Sequence, residues 1–172
     1  LRGEPIAAMA DAVPDRIDLD TFVEACLRAL PDPDARRRCR ASAGADDARL
    51  DVDPEPVRDA LLRVLDNACR YSSPETTVRV RTRVEAVGVG EASALRRHGV
   101  VTIADRGKGL SRAHAQRAFE PFWRAPERSQ GPGQGLGLAI ARHLIDAQGG
   151  WIELRSELGV GTEVEIWLPL AD

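Results

Sequence analysis

The sequence predicts an α/β fold: a two-layer sandwich in which a mixed, mostly antiparallel sheet carries helices packed on one face. Three observations predict it. Residues 76–87 alternate strictly, with Val78, Val80, Thr82 and Val84 on one side and Arg79, Arg81 and Arg83 on the other. That is the period of a half-buried strand. Val57, Leu61, Val64, Leu65 and Ala68 recur at helical spacing and make one apolar stripe. Residues 151–157 and 161–169 read as a closing hairpin. Hairpins require antiparallel neighbours, and amphipathic helices between them require a sheet face to cover.

The elements follow in order. Residues 1–14 contain Gly3, Pro5 and Pro14 without a period, and read as a tail or the end of a missing segment. Residues 15–172 then form one domain. A short strand is expected at 15–19, and a helix at 20–30 with Asp20 as N-cap and Pro31 closing it. Two short strands, 35–42 and 48–53, are expected around a turn at 44–47. Pro54 and Pro56 open the striped helix, whose other side carries Asp59, Arg63, Asp66, Asn67 and Arg70. The strands 76–87 and 99–105 suggest a long hairpin through a loop holding Gly88, Gly90 and Gly99. A short helix is expected at 111–119, a loop at 124–135, and a helix at 136–148 closed by Gly149 and Gly150.

Bulk properties exclude several classes. The chain has 172 residues, enough for one domain with a core and too few for two comfortable ones. Its net charge of -3 lacks the basic footprint of a nucleic-acid binder. No apolar run is long enough to span a bilayer, and no signal-peptide pattern opens the chain. Lys108 is the only lysine, a coding bias that weakens arguments from any single arginine. The first residue is Leu1, as in a fragment. Cys26, Cys39 and Cys69 are odd in number and widely spaced, so neither a disulfide frame nor a zinc site is indicated, and Cys69 reads as a small apolar packing residue.

The stretch GPGQGLGLAIA, residues 131–141, raises the question of function. It lacks the lysine and hydroxyl of a P-loop, and its GxGxG spacing after a polar loop is not a Rossmann fingerprint. Gly133, Gly135 and Gly137 nevertheless run into a helix N-terminus, where free N–H groups and the macrodipole favour an anion. Alone, the stretch reads equally as a flexible hinge. Three others bear on it. In LLRVLDNACRYSSP (61–74), Arg63, Asn67 and Arg70 share one helix face. An Asn carbonyl is a hard oxygen suited to Mg²⁺; the plain alternative is a solvated face. In ADRGKGL (104–110), Asp105 can accept from an exocyclic amine while Gly107 and Gly109 admit a ring; the alternative is a strand-to-helix turn. In FEPFWR (119–124), aromatics sit beside Arg124; the alternative is core aromatics anchoring a loop, in part for Phe119 and Phe122.

In this order and spacing the four stretches resemble the N, G1, F and G2 boxes of the histidine kinase ATP-binding domain, of the GHKL superfamily. DNACRYS resembles the N box, DRGKG the DxGxG of G1, FEPFWR the FxPF of the F box and GQGLGLAIA the GxGLGL of G2. GVGTEVEIWLP resembles the family's closing Gly-Thr hairpin, and the matches run from about residue 50 to 170. The FxPF box favours the kinases over gyrase-type ATPases.

The resemblance implies ATP and Mg²⁺ as cofactors and assigns roles. Asn67 would ligate Mg²⁺ between the phosphates. Arg70, in place of the usual Lys, and Arg124, in a lid at about 123–134, would contact phosphate. Tyr71 would line the adenine pocket. Asp105 would bind the adenine amino group, with Gly107, Gly109 and Leu110 beside the ring and the Thr162 hydroxyl near it. Gly133, Gln134, Gly135, Leu136, Gly137 and Leu138 would hold the triphosphate. Two departures stand out. Arg63 occupies the place where the ATPases carry a base Glu, so efficient hydrolysis is not expected; the extra cation either assists phosphate binding or competes with Mg²⁺. Phosphoryl transfer is less affected, since it depends mainly on positioning and charge. Second, none of His98, His114 and His143 has the H-box context, and they read as a loop tip, an exposed helix position and a helix face near the lid. The phosphoacceptor is expected outside this chain, on a histidine-bearing dimerisation domain, with a response regulator receiver domain as downstream partner. The domain alone is expected to be monomeric and cytoplasmic, its parent open to anchoring in the inner membrane. The alternative is a degenerate module that binds nucleotide without transfer.

Overall fold

The computed structural model describes residues 16–88, 95–126 and 133–171. The expected tail at 1–14, Gly90, and residues 127–132 of the expected lid, with Gly131 and Pro132, lie outside the described residues.

Helix α1 (Leu19–Arg28) is capped by Asp18, whose carboxylate accepts from the Thr21 amide at 2.9 Å. The expected cap, Asp20, is engaged elsewhere: its carboxylate accepts from the Thr82 hydroxyl and from the Ala45 amide at 3.3 Å. The expected strand at 15–19 is reduced to a single bridge, Asp18 to Arg49, because the chain enters the helix at Leu19. The expected strand at 48–53 likewise supplies only that bridge and one from Leu50 to Leu170. Within 35–42 the first half is helical instead. Helix α2 (Pro33–Arg38) starts on a proline already set at a helical φ, and Asp32 caps the Asp34 amide at 2.9 Å. Only β1 (Cys39–Ser42) is extended.

Helix α3 (Pro54–Tyr71) buries Val57, Ala60, Leu61, Val64, Leu65 and Ala68, the expected stripe. Fully burying Leu61 and Leu65 stabilises the fold by roughly 1.5–3 kcal/mol each. Strands β2 (Val78–Gly88) and β3 (Leu95–Asp105) pair antiparallel. Because β3 begins at Leu95 rather than Gly99, His98 is a buried strand residue and not a loop tip. Helix α4 (Arg112–Gln116) is shorter than expected; α5 (Gly137–Asp146), β4 (Trp151–Glu157) and β5 (Gly161–Pro169) follow.

The sheet has five strands in the order β1-β2-β3-β5-β4, parallel only between β1 and β2. Register lines up Val80, Ile103, Val164 and Leu154 across four strands, and Thr82, Val101, Ile166 and Ile152 one row on. These rows join α1, α3 and α5 in one apolar core. On the opposite face Trp151 stacks on Trp167 at 4.9 Å, and His98 meets Trp151 edge-on at 4.8 Å. Arg83 lies over Trp167 at 5.3 Å and pairs with Glu165 at 2.9 Å. Among the described residues no helix is long and apolar enough to cross a membrane.

Candidate functional site

The polar face of α3 carries two i,i+4 ion pairs, Asp59–Arg63 at 2.9 Å and Asp66–Arg70 at 2.7 Å, with half-buried Asn67 between them. Both pairs are a third or more exposed, so each is worth well under about 1 kcal/mol. The helix end that presents them is held by Arg38, which no sequence signal singled out. Its Nη1 donates to the Cys69 carbonyl at 2.9 Å, its Nε to the Thr76 carbonyl at 3.0 Å, and its Nη2 to the Ser72 hydroxyl. Ser72 in turn donates to the Ala68 carbonyl at 2.7 Å. Carbonyls orphaned at the C-terminus of α3 are thereby satisfied.

A cavity of about 350 Å³ opens beside this face. Asn67, Arg70 and Tyr71 line it from α3, together with Arg63, which the sequence places on the same helix face. Leu110 lines it after β3, Trp123 and Arg124 at the start of the expected lid, and Gly133, Gln134, Gly135, Leu136, Gly137 and Leu138 along the glycine run. The run approaches α3 closely: a Cβ on Gly133 would stand 2.8 Å from Arg70 Nη1. It ends at the start of α5, whose N-cap Leu136 makes no side-chain capping bond. The first amides of α5, where the helix dipole is positive, thus take no bond from the N-cap side chain, and they lie beside Arg63 and Arg70. At Gly137 an added Cβ would meet nothing within 4 Å, so this glycine leaves room rather than relieving a protein contact.

Asp105, Gly107, Gly109 and Thr162 do not line this cavity. They form a second cluster against it, where β3 ends and β5 begins. Asp105 Oδ1 accepts from the Gly107 amide at 2.7 Å and the Thr162 amide at 3.3 Å. Asp105 and Thr162 are both buried. A Cβ on Gly107 would stand 2.2 Å from the Tyr71 carbonyl oxygen, so the loop lies directly on the end of α3. Gly109 has φ +64°, and a Cβ there would stand 1.9 Å from the Glu157 carbonyl oxygen; a glycine is required to seat this loop against the β4–β5 hairpin. Ser156, unmarked in sequence, joins the clusters. Its Oγ accepts from the Leu110 amide at 2.8 Å and donates to the Gly161 carbonyl at 3.0 Å. Its one proton being used, it accepts from the Thr162 hydroxyl at 2.8 Å.

The aromatic stretch divides. Phe119 packs against the core under the Arg142 guanidinium, 5.1 Å from its ring centre. Phe122 does not anchor the core: it is 73% exposed, with a left-handed φ of 63°. Its backbone does the work, the Phe122 amide donating to the Gly135 carbonyl at 2.9 Å. Trp123 lines the cavity instead, flanked by His114 at 5.6 Å and Arg117 at 5.2 Å between centres.

The arrangement fits an anionic ligand with a dication. Guanidinium groups and a helix N-terminus converge on one wall, and the Asn67 amide supplies a hard oxygen. Among the described residues no cluster of three or more His, Cys, Asp or Glu forms a metal cage. A dication here would rest on Asn67, water and the ligand's own oxygens, which suits Mg²⁺.

Comparison with known proteins places the chain among sensor kinases and related ATPases. The family described as histidine kinase-, DNA gyrase B-, and HSP90-like ATPase matches residues 52–172. The virulence sensor protein BvgS of Bordetella bronchiseptica is 35% identical over 130 residues, 74% of this chain and 10% of that protein. The sensor protein PfeS of Pseudomonas aeruginosa is 34% identical over 148 residues, 86% of this chain and 30% of that protein. The structure of the mycobacterial sensor histidine kinase MprB superposes with a TM-score of 0.69 at 26% identity, covering 91% of this chain and 98% of that one. Full-length ShkA, solved in complex with AMPPNP, shares the fold with a TM-score of 0.67 at 23% identity, covering 91% of this chain and 31% of that one. The chain spans less than a third of the length of the curated relatives named here.

Proposed function

The chain belongs to the histidine kinase-, DNA gyrase B-, and HSP90-like ATPase family, and from that premise we propose that residues 15–172 are the catalytic ATP-binding domain of a two-component sensor histidine kinase. One observation carries the reading: Asn67 and Arg70 of α3 share a single cavity with the glycine run and the start of α5. ATP is the substrate, with its phosphates against Gly133 to Leu138 and its base toward Tyr71, Leu110 and the Asp105 cluster. Asp105, fixed by Gly107 and Thr162 through Oδ1, receives the adenine amino group, and Thr162 keeps its hydroxyl beside it. Gly107 and Gly109 let the loop approach the ring.

Asn67 holds Mg²⁺, which when bound offsets charge on the phosphates. Arg70 leaves its weak pair with Asp66 for a phosphate oxygen. Arg124, in the lid at about 123–134, adds positive charge as the γ-phosphoryl departs. Phosphoryl transfer needs little more from the protein than this positioning and charge. Arg63 stands where a general base for water would, so the site favours transfer over hydrolysis. The acceptor is a histidine on a separate dimerisation domain, and a receiver-domain aspartate takes the phosphoryl next. His98 is buried beneath Trp151, an arrangement unsuited to an acceptor. This piece acts as a monomer on the cytoplasmic side of a parent open to anchoring in the inner membrane.

The test combines calorimetry of Mg²⁺–ATP with labelled transfer to an added histidine-bearing dimerisation domain. Binding with label on that histidine is the expected result. Binding without label makes the chain a regulatory nucleotide module. Absence of binding overturns the reading altogether.

A further inference from the structure

Sequence spacing gave no reason to pair the cysteines, yet Cys39 Sγ and Cys69 Sγ lie 3.7 Å apart. The approach is built into the fold. Cys39 opens β1, next to Arg38, and Arg38 grips the carbonyl of Cys69 itself at 2.9 Å. The two backbones are therefore tied together at the residues that bear the thiols. Both thiols are free. Their access differs: Cys39 is 5% exposed, whereas Cys69 is half-buried and lines a second cavity of about 530 Å³. That cavity lies between the α1–α2 connection and α3, and shares Arg63, Asp66 and Arg70 with the first.

We propose that Cys39 and Cys69 are a peroxide-sensitive thiol pair whose disulfide weakens nucleotide binding at the adjoining cavity. The disulfide stands on geometry alone; its effect on ATP rests on the function proposed above. The chemistry balances with hydrogen peroxide as oxidant. The Cys69 sulfur attacks one peroxide oxygen, the O–O bond breaks, and Cys69 sulfenic acid and water result. Cys39 sulfur then attacks Cys69 sulfur, the S–O bond breaks, and a second water leaves with the thiol proton. A dithiol reductant reverses the bridge by exchange.

The bridge changes α3. The sulfurs must close from 3.7 Å to roughly 2.05 Å. Cys69 lies two residues after Asn67 and directly before Arg70, so any movement of this last turn displaces both. A misplacement of about 1 Å is able to cost on the order of a hundredfold in a positioned site. A loss of at least about tenfold in ATP affinity is expected.

The experiment treats the reduced 172-residue chain with hydrogen peroxide, then applies non-reducing peptide mapping and Mg²⁺–ATP calorimetry. The expected result is a Cys39–Cys69 peptide, affinity reduced at least about tenfold, and recovery with dithiothreitol. Cys39→Ser should bind ATP like the reduced wild type, ignore peroxide in the binding assay, and accumulate a dimedone-reactive Cys69. Oxidation that gives only intermolecular dimers, or overoxidised Cys69 without a bridge, overturns the thiol pair. A bridge that leaves affinity within about twofold overturns the regulation. If the reduced chain binds no ATP, the nucleotide reading and its regulation fall, while mapping still decides the disulfide.

Discussion

Asp105 offers a way to separate a fold role from a ligand role at one residue. Its Oδ1 holds two amides, that of half-buried Gly107 at 2.7 Å and that of buried Thr162 at 3.3 Å. Asp105→Ala leaves both unsatisfied, at about 1–3 kcal/mol each. The longer Thr162 bond and the partial exposure of Gly107 both argue for the lower half of the sum, about 3 kcal/mol. For a domain of this size that is a Tm fall of roughly 6–12 °C. Asp105→Asn keeps an acceptor for the same amides, and only the amide oxygen can face them. Its fold cost is therefore the lost charge assistance, about 1 kcal/mol. Its second atom, however, becomes an NH₂ donor where the adenine amine also donates. Losing a hydrogen bond to a charged group costs about 1.5–3 kcal/mol, or roughly 10–150-fold in Kd. Urea denaturation and Mg²⁺–ATP calorimetry on both variants decide the matter. An Asp105→Asn protein that binds ATP within threefold of wild type refutes the assigned contact. One that unfolds as easily as Asp105→Ala refutes the account of the amides.

Gly109→Ala places a non-glycine residue at φ +64° with its Cβ 1.9 Å from the Glu157 carbonyl oxygen, so thermal denaturation should show a loss above the roughly 1–2 kcal/mol of the left-handed conformation alone. Gly137→Ala, whose Cβ meets nothing within 4 Å, should leave Tm within a few degrees yet weaken ATP binding in the same calorimeter. Arg63→Glu restores a carboxylate four residues before Asn67 and should raise phosphate release at least about tenfold, since a positioned base contributes roughly 10²–10⁴; unchanged release would remove the argument against hydrolysis. Cys26, driven up from 9.0 to about 11 by burial, is neutral and protected at pH 8, so iodoacetamide should modify it only on unfolding. Because its folded value is the raised one, its stabilising contribution is full below pH 9 and is lost as the pH climbs toward about 11, which equilibrium unfolding across that range would register.

Much of this was legible because it is local. The stripe on α3 and the alternation on β2 are periodicities, and each became the expected element with the expected buried face. Boundaries were less legible where caps compete. Asp18 and Asp20 are both good N-caps, and the choice fell to Thr82 and Ala45, which reach Asp20 from distant segments. Arginines at 36–38 read as strand until Pro33 and Asp32 are seen to start a helix that brings Arg38 under α3. Of the two phenylalanines that the alternative reading gives in part to the core, Phe119 packs there, whereas the backbone bond from Phe122 to Gly135 holds the turn and leaves its ring in solvent.

Layer architecture and the residues of the four boxes are written locally in the chain, since hydrophobic period, prolines and glycines act within a few residues of themselves. Tertiary structure decided what depends on register and on contact between distant segments. It set Gly133 beside Arg70, hung Asp105 on Thr162, and seated Ser156 between Leu110 and Thr162. It also brought Cys39 to Cys69, a meeting made by Arg38 capping a helix thirty-one residues away. Such pairings leave no periodic trace in the chain, because they arise only when the sheet has closed beneath α3.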